Sequence, residues 1–193
     1  MRPYRLSPSG ELLNQDGSLC VDIGLAQLDA EQIEVQHLAP HVERWALPKG
    51  DSVGVLISYS CHCWTTKLDA AHPDDLLRIL DGTRPRVLDI TRLEASHSLP
   101  ELMCSLDQHR IYVTASERNY AVYNMSFIAE DGLCYTSFFK VRQKKGRFNG
   151  VRHHLEMFVE SAYHTVQPQK GTKTKLAAIL SEGLQGRMVK YRP

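Results

Sequence analysis

Residues 110–163 read RIYVTASERNYAVYNMSFIAEDGLCYTSFFKVRQKKGRFNGVRHHLEMFVESAY, and apolar side chains alternate with polar ones along most of this segment. Alternation with a period of two is typical of β-strands that bury one face. Turn-forming residues, including Glu130-Asp131-Gly132, separate successive alternating runs. The segment therefore predicts a four-stranded antiparallel β-meander.

A helix is predicted on each side of this meander. Ser98-Leu99-Pro100-Glu101 combines an N-cap serine, a proline in the first turn and the glutamate of a capping box. We therefore expect a helix from Ser98 to about Asp107. A second helix is predicted over about 174–183, where Leu176, Ile179 and Leu180 have helical spacing.

The N-terminal half is interpreted as part of the same domain. Residues 53–60 (VGVLISYS) are apolar and β-branched, which is typical of a buried strand, and a brief helix is expected near 25–31. No linker rich in Pro, Gly or Ser separates the halves. We predict an α+β fold in one domain of residues 1–193, with a β-rich N-terminal elaboration (1–97) and a helix, meander and helix over 98–185.

The charge is divided unevenly along the chain. Residues 1–100 contain nine Lys/Arg and fourteen Asp/Glu, whereas residues 101–193 contain fourteen Lys/Arg and eight Asp/Glu. This asymmetry favours an anionic partner for the second half. Attraction between the two halves remains the alternative explanation.

Location and redox state follow from what the sequence contains. The start of the chain, MRPYRLSPSGELLNQDG, has no apolar core of the kind found in signal peptides, and no apolar run is long enough to span a membrane. The five cysteines are an odd number and are expected to be thiols. We predict a cytoplasmic protein without a membrane partner.

The polar face of the last two strands is the first candidate site. If Leu155 faces the core, alternation turns Arg152, His154 and Glu156 outward. A basic loop over residues 143–150 is expected to join the two strands. Histidine, carboxylate and cations together provide what metal-free RNA cleavage needs, namely proton transfer and stabilisation of phosphate charge. A solvated face with cross-strand ion pairs would show the same pattern.

The loop between the first two meander strands is the second candidate. Residues 114–120 (TASERNY) contain no glycine, although most hairpin loops carry Gly, Asp or Asn. Glu117, Arg118 and Tyr120 could contact a ligand from a rigid sheet edge. A longer turn held by Asn119 is the alternative.

Cys61-His62-Cys63 is the third candidate, because two thiols and an imidazole resemble half of a metal site. The spacing argues against zinc, since zinc cysteines are usually two to four residues apart and a second pair must follow. On a strand, Cys61 and Cys63 would share one face and behave as small buried hydrophobes. A metal site and a nucleophilic or redox role remain open alternatives.

A helix followed by a four-stranded meander, over about 98–163, resembles the small metal-independent ribonucleases and toxins of the barnase and RelE-like type. The resemblance implies that Glu, Arg and His side chains project from the sheet onto a scissile phosphate. The residues that would take these roles are Glu117, Arg118, Lys140, Arg142 and His154.

We therefore predict a domain that binds RNA or another nucleic acid, with metal-independent endoribonuclease activity on the outer face of its C-terminal sheet. The predicted catalytic residues are Glu117, Arg142 and His154. The predicted nucleic-acid-binding residues are Arg118, Tyr120, Lys140, Lys144, Lys145, Arg147 and Arg152. No cofactor and no metal are expected. The alternative is a non-enzymatic interaction module, an inhibitor or accessory factor, whose basic hairpin docks on an acidic protein.

Overall fold

The structure is a computed structural model that describes residues 4–6, 12–14, 35–48, 50–72, 78–81, 84–115, 121–128, 133–168 and 171–190. The strands in these ranges are β1 (Tyr4–Leu6), β2 (Leu12–Asn14), β3 (His41–Ala46), β4 (Ser52–Tyr59), β5 (Thr65–Lys67), β6 (Arg78–Asp81), β7 (Arg84–Leu88), β8 (Ile111–Ala115), β9 (Ala121–Ile128), β10 (Cys134–Phe148), β11 (Val151–Thr165) and β12 (Thr172–Thr174). The α-helices there are α1 (Ile90–Ser96), α2 (Leu99–Cys104) and α3 (Leu176–Leu184). Short 3-10 turns lie at Gln36–Leu38, Cys61–Cys63 and Leu106–Gln108.

In the described part of the chain, seven strands form one mixed sheet in the order β12-β8-β9-β10-β11-β4-β3. Each neighbouring pair is antiparallel except β11 and β4, which run parallel. A second sheet has the order β5-β7-β6, and β1 pairs with β2. The predicted buried strand at 53–60 is β4, and the predicted helix near 25–31 lies outside the described residues.

The predicted α+β fold, a four-stranded meander over about 110–163 preceded and followed by helices, is wrong. β8 to β11 lie inside the seven-stranded mixed sheet, and β4 and β3 of the supposed N-terminal elaboration continue that sheet beyond β11. The physical reason is that β11 has two edges, and an unpaired edge would expose a row of backbone donors and acceptors. β4 pairs with this edge over Val55–Tyr59. The helices are short additions to a protein that consists mostly of strands.

The core explains why β4 joins the sheet at that position. Val55 and Ile57 pair with Leu155 and Met157, and all four side chains are fully buried. β4 is buried along nearly its whole length, which is typical of a parallel strand covered on both faces.

Helices α2 and α3 supply further core side chains. Leu99 and Met103 of α2, and Ile179 and Leu180 of α3, belong to the same buried cluster as the central strands.

Within the described residues, no α-helix has the length and apolar character needed to cross a bilayer.

Candidate nucleic-acid interface

The hairpin of β10 and β11 extends beyond its neighbours in the sheet. β9 pairs with β10 only over Cys134–Phe139, and β4 pairs with β11 only over Leu155–Val159. We call residues 142–154, at the far end of this hairpin, the arm. The loop expected over 143–150 is instead mostly strand, because β10 continues to Phe148 and β11 begins at Val151.

A two-residue turn, Asn149-Gly150, closes the arm. Both residues have positive φ, 47° for Asn149 and 78° for Gly150. Hairpin turns of this length favour left-handed conformations that match the twist of the strands, and Asn-Gly adopts them readily. The turn therefore fixes the register in which Arg147 lies opposite Arg152.

The arm has a high density of positive charge. Its cations are Arg142, Lys144, Lys145, Arg147 and Arg152, and the sequence has no Asp or Glu between 142 and 155. All five side chains are exposed. Arg147 and Arg152 pair directly across the two strands, so they share one face of the arm.

Two of these cations are engaged by a buried carboxylate. Glu156 is fully buried, and its Oε2 accepts from Nε of Arg142 at 2.7 Å. Nη2 of Arg142 lies 2.6 Å from the same oxygen, and Nζ of Lys144 donates to Oε1 at 3.1 Å. Among the described residues, Lys145, Arg147 and Arg152 have no such carboxylate partner.

Lys140 lies outside the arm and is also paired. Its Nζ donates to Oε1 of Glu160. Glu160 is the extra residue of a bulge, since Phe138 pairs with Ser161 and Phe139 pairs with Val159. The bulge therefore directs a carboxylate towards Lys140 and balances its charge.

His154 lies at the base of the arm, where three strands meet. The backbone N–H of Gly54 donates to its Nδ1 at 3.3 Å. Nδ1 must then hold a lone pair, so the neutral imidazole carries its proton on Nε2. Partial burial lowers the pKa of His154 below its usual value, and the positive charges of Arg152, Arg44 and Lys145 lower it further. At neutral pH, His154 is therefore an uncharged hydrogen-bond donor close to Arg152, Arg44 and Lys145.

Gly54 permits this meeting of strands. A Cβ at this position would lie 2.5 Å from the backbone oxygen of Arg152, closer than side chains come to backbone in folded proteins. Arg44 on β3 pairs with Gly54, which places a further exposed cation beside His154.

His153 faces the opposite side and has a structural role. It is buried, and its Nδ1 donates to the backbone oxygen of Lys144 at 2.9 Å. The register slips between Gln143 and Gly146, and the His153 ring lies beside Gly146 within this bulge. His154 is therefore the histidine of this pair on the cationic face.

The structure brings together part of the predicted site. Lys145 and Arg152 lie near His154, with Arg147 opposite Arg152, whereas Arg142 and Lys144 are held by Glu156. The predicted residues Glu117, Arg118 and Tyr120 lie outside the described residues. Sequence reasoning missed Arg44, because nothing in the alternation of residues 110–163 indicates that β3 and β4 lie beside β11.

Cys61-His62-Cys63 forms a 3-10 turn after β4, so the strand geometry considered for the two thiols does not apply. Cys61 and Cys63 are buried, and burial raises the pKa of the Cys63 thiol far above its usual value. In the described residues, no group of three or more His, Cys, Asp or Glu side chains is arranged to hold a metal ion. Instead, Nε2 of His62 lies 2.8 Å from Oδ2 of Asp81. Sequence reasoning missed this pair, because no local pattern indicates that the turn at Cys61–Cys63 lies beside β6.

Comparison with known proteins gives one match. Residues 25–184 match the family model described as the YjaZ family. No curated protein and no solved structure matches the chain. The matched range contains the arm, the turn at Cys61–Cys63 and the seven-stranded sheet.

Proposed function

This chain belongs to the YjaZ family, and we propose that it binds RNA through the arm. The observation that supports this most directly is the pairing of Arg147 with Arg152 on one exposed face. Like charges directly opposite each other in a sheet repel and destabilise it. A polyanion bound across the two arginines would remove that repulsion, whereas no described carboxylate does so.

The donors around this pair suit a phosphate backbone. An arginine fork can bind two phosphate oxygens at once, and the two forks leave the arm from adjacent strands. Lys145 and Arg44 add positive charge near His154, whose Nε2–H is a further donor. Phe148 lies half-buried beside the turn and offers a ring on which a base could stack.

The composition of the arm favours a nucleic acid over an acidic protein. Protein interfaces have a core that is depleted in charge and enriched in apolar side chains, and lysine is rare there. Nucleic-acid interfaces are far more positively charged. The arm exposes five cations, with Val151 as its one large apolar side chain exposed. A cytoplasmic location, as predicted from the sequence, belongs to the same proposal.

Binding is better supported than cleavage at this position. The Nδ1 lone pair of His154 is used by Gly54, and Arg142 is engaged by Glu156. A general base needs an available lone pair, and a phosphate-binding arginine needs available donors. The catalytic roles predicted for His154 and Arg142 therefore stay predictions that the arm geometry does not favour.

Salt-dependent binding tests the proposal. We expect an unstructured RNA of about 20 nucleotides, longer than the usual single-strand site, to bind with an affinity that falls steeply with salt. Replacing Lys145, Arg147 and Arg152 with alanine should flatten the log–log salt slope by about 2, because each phosphate contact on a single strand contributes about 0.7. Fluorescence anisotropy across a salt series measures this slope.

A matched control removes the same charge elsewhere. The triple variant Arg110→Ala, Lys173→Ala, Lys190→Ala changes three exposed cations outside the arm and should leave the slope unchanged. Equal flattening by both triple variants would show that overall charge, and not the arm, attracts RNA. Binding to polyglutamate without binding to RNA would favour the acidic-protein partner instead.

A further inference from the structure

A second group of charged side chains lies at the other end of β4. Gly54 meets the arm near the start of this strand, and the turn at Cys61–Cys63 follows its end. At about 3.3 Å per residue, the two positions are about 20 Å apart. We call His62, Asp81, Arg86, Arg92 and Tyr163 the His62 cluster.

The backbone of the turn holds His62 in place. Its N–H donates to Oγ of Ser60 at 3.1 Å, and its carbonyl oxygen accepts from Nη1 of Arg92 at 3.3 Å. The imidazole Nε2 lies 2.8 Å from Oδ2 of Asp81, a residue of β6 in the three-stranded sheet. Backbone and side chain are therefore both restrained.

This arrangement leaves a lone pair available on His62. An ionised carboxylate can only accept, so Nε2 must carry the proton that it donates to Asp81. Nδ1 then holds the lone pair, and no described residue donates to it. The side chain is 32% exposed, so part of the imidazole is in contact with solvent. A histidine oriented by a carboxylate in this way is the usual form of a catalytic base.

The surroundings keep His62 uncharged. Burial lowers its pKa below the usual value, and the positive charges of Arg86 and Arg92 act in the same direction, while the hydrogen bond and charge of Asp81 oppose them. Asp89 is a further charged group beside the cluster, and it pairs with Arg92. At neutral pH the imidazole is therefore in the form that can accept a proton.

Arg92 is placed to bind an anion beside this base. Its Nη1 donates to the carbonyl oxygens of His62 and Thr65, and its guanidinium carbon lies 4.8 Å from the ring centroid of Tyr163. These contacts fix the plane of the guanidinium. Within the described residues, its Nη2 has no hydrogen bond, so donors remain for a phosphate oxygen.

We infer that the His62 cluster is a catalytic site that cleaves RNA, with His62 as the base, Asp81 as its positioning residue and Arg92 as the phosphate ligand. The inference rests on the proposed function for its choice of RNA. About six nucleotides of a stacked strand, at about 3.4 Å each, span the distance from the arm to the cluster. One strand can therefore contact the arm and place a phosphodiester at His62.

The reaction needs no metal and no second substrate. Nδ1 of His62 takes the proton of a ribose 2′-hydroxyl, and that oxygen forms a bond to the adjacent phosphorus. The bond from phosphorus to the 5′-oxygen breaks, and this oxygen takes a proton from solvent. His62 then returns its proton to solvent. The products are a 2′,3′-cyclic phosphate and a 5′-hydroxyl, while Arg92 stabilises charge on the phosphate in between.

The dinucleotide uridylyl-adenosine tests the cluster without the arm, since its single phosphate cannot span about 20 Å. We expect the full chain to convert this dinucleotide to the cyclic phosphate in the presence of EDTA. Chromatography of the products measures the conversion. His62→Gln should slow the reaction by about 10²-fold to 10⁴-fold. The glutamine amide can still donate to Asp81, so this variant keeps the tether between the turn and β6 and removes only the base.

The pH profile separates a positioning role of Asp81 from a structural one. Because Asp81 raises the pKa of His62, Asp81→Asn should move the acidic limb of the rate profile to lower pH. A merely structural role would lower the rate without moving that limb. Lys173→Ala, which removes an exposed cation from β12, is the matched control and should leave rate and profile unchanged.

Binding of the longer RNA, measured on the same preparation, distinguishes the two proposals. Longer RNA that binds while the dinucleotide stays intact would overturn the catalytic site and leave the arm proposal standing. A dinucleotide that is cleaved without binding of longer RNA would support the cluster and remove the arm proposal. Wild-type cleavage rates in His62→Gln would show that the pair with Asp81 is only a tether.

Discussion

The arm and the His62 cluster use the same residue types in opposite ways. In the arm, Nδ1 of His154 accepts from a backbone N–H, so the available ring atom is a donor. In the cluster, Nε2 of His62 bonds to Asp81, so the available ring atom is an acceptor. Burial and nearby arginines lower the pKa of both histidines. The hydrogen-bond partner, and not the pKa, decides which histidine can act as a base.

The arginines of the two regions also differ, in whether a carboxylate balances their charge. In the cluster, Arg92 pairs with Asp89 and donates to backbone carbonyls, so its position is fixed. In the arm, Arg147 and Arg152 face each other without a described carboxylate. Balanced charge favours precise placement for chemistry, and unbalanced charge favours attraction of a polyanion.

The largest expected effect concerns the two arm cations that are already paired. The double variant Arg142→Ala, Lys144→Ala removes both cations. The carboxylate of Glu156 then stays buried without these partners. Breaking a buried ion pair on one side costs about 3 kcal/mol or more. Urea denaturation should show this loss of the free energy of unfolding, and adding Glu156→Gln should recover most of it.

The matched comparison is the double variant Lys145→Ala, Arg147→Ala. These side chains are exposed and have no described carboxylate partner, so the free energy of unfolding should change by about 0.5 kcal/mol at most. A similar loss in both double variants would mean that the arm cations do not divide into structural and binding groups.

Gly54→Ala should have the next largest effect, because it separates the arm from β4. The new Cβ would meet the backbone oxygen of Arg152 at 2.5 Å, so one strand must move. Overpacking of this kind costs about 2 kcal/mol. The shift should also weaken the bond from Gly54 to His154, which nuclear magnetic resonance would detect as a higher pKa of His154.

Ser52→Ala, at the exposed start of β4, is the control for Gly54→Ala and should change neither stability nor the His154 pKa. An unchanged melting temperature in Gly54→Ala would contradict the close approach of β4 and β11.

Local patterns in the sequence predicted strands better than they predicted the sheet. Alternation over residues 110–163 identifies β9 and β11, and the apolar run at 53–60 identifies β4. The pairing of β4 with β11 could not be predicted in this way, because it joins residues about 100 positions apart and depends on which sheet edge needs a partner. Missing this pair, and the pairing of β12 with β8, turned a seven-stranded mixed sheet into a four-stranded meander.

In the candidate sites, too, the sequence predicted local features and missed long-range contacts. Alternation correctly places Arg152, His154 and Glu156 on one face, since the β11 chain between them is regular. It does not indicate that Glu156 is buried, because burial depends on what covers that face. Nor does it indicate that Asp81 reaches His62, because their contact joins a turn to a different sheet.

Acid should destabilise the protein through the His62 cluster, with a smaller effect than either substitution above. The pKa of His62 is lowered by folding, so just below pH 6.5 the unfolded chain binds a proton that the folded chain does not. Stability should therefore fall as the pH drops through about 6.5 towards the folded-state pKa, and change no further below it. His62→Gln should remove this part of the pH dependence of the melting temperature. A variant with the wild-type dependence would show that His62 titrates normally in the folded state.

The smallest expected effect on stability is a gain, and it tests the arm most directly. Arg147→Glu replaces a repelling cross-strand pair with Arg152 by an attracting one, which should stabilise the protein by about 0.5 kcal/mol. The same change removes one cation and adds a carboxylate at the centre of the proposed RNA surface. RNA affinity should therefore fall in the same variant whose melting temperature rises. Such opposite changes are expected where a repulsive pair serves binding, since stability alone would favour the glutamate. If Arg147→Glu instead lowers stability and leaves RNA binding intact, the pair is structural and the arm is not the RNA site.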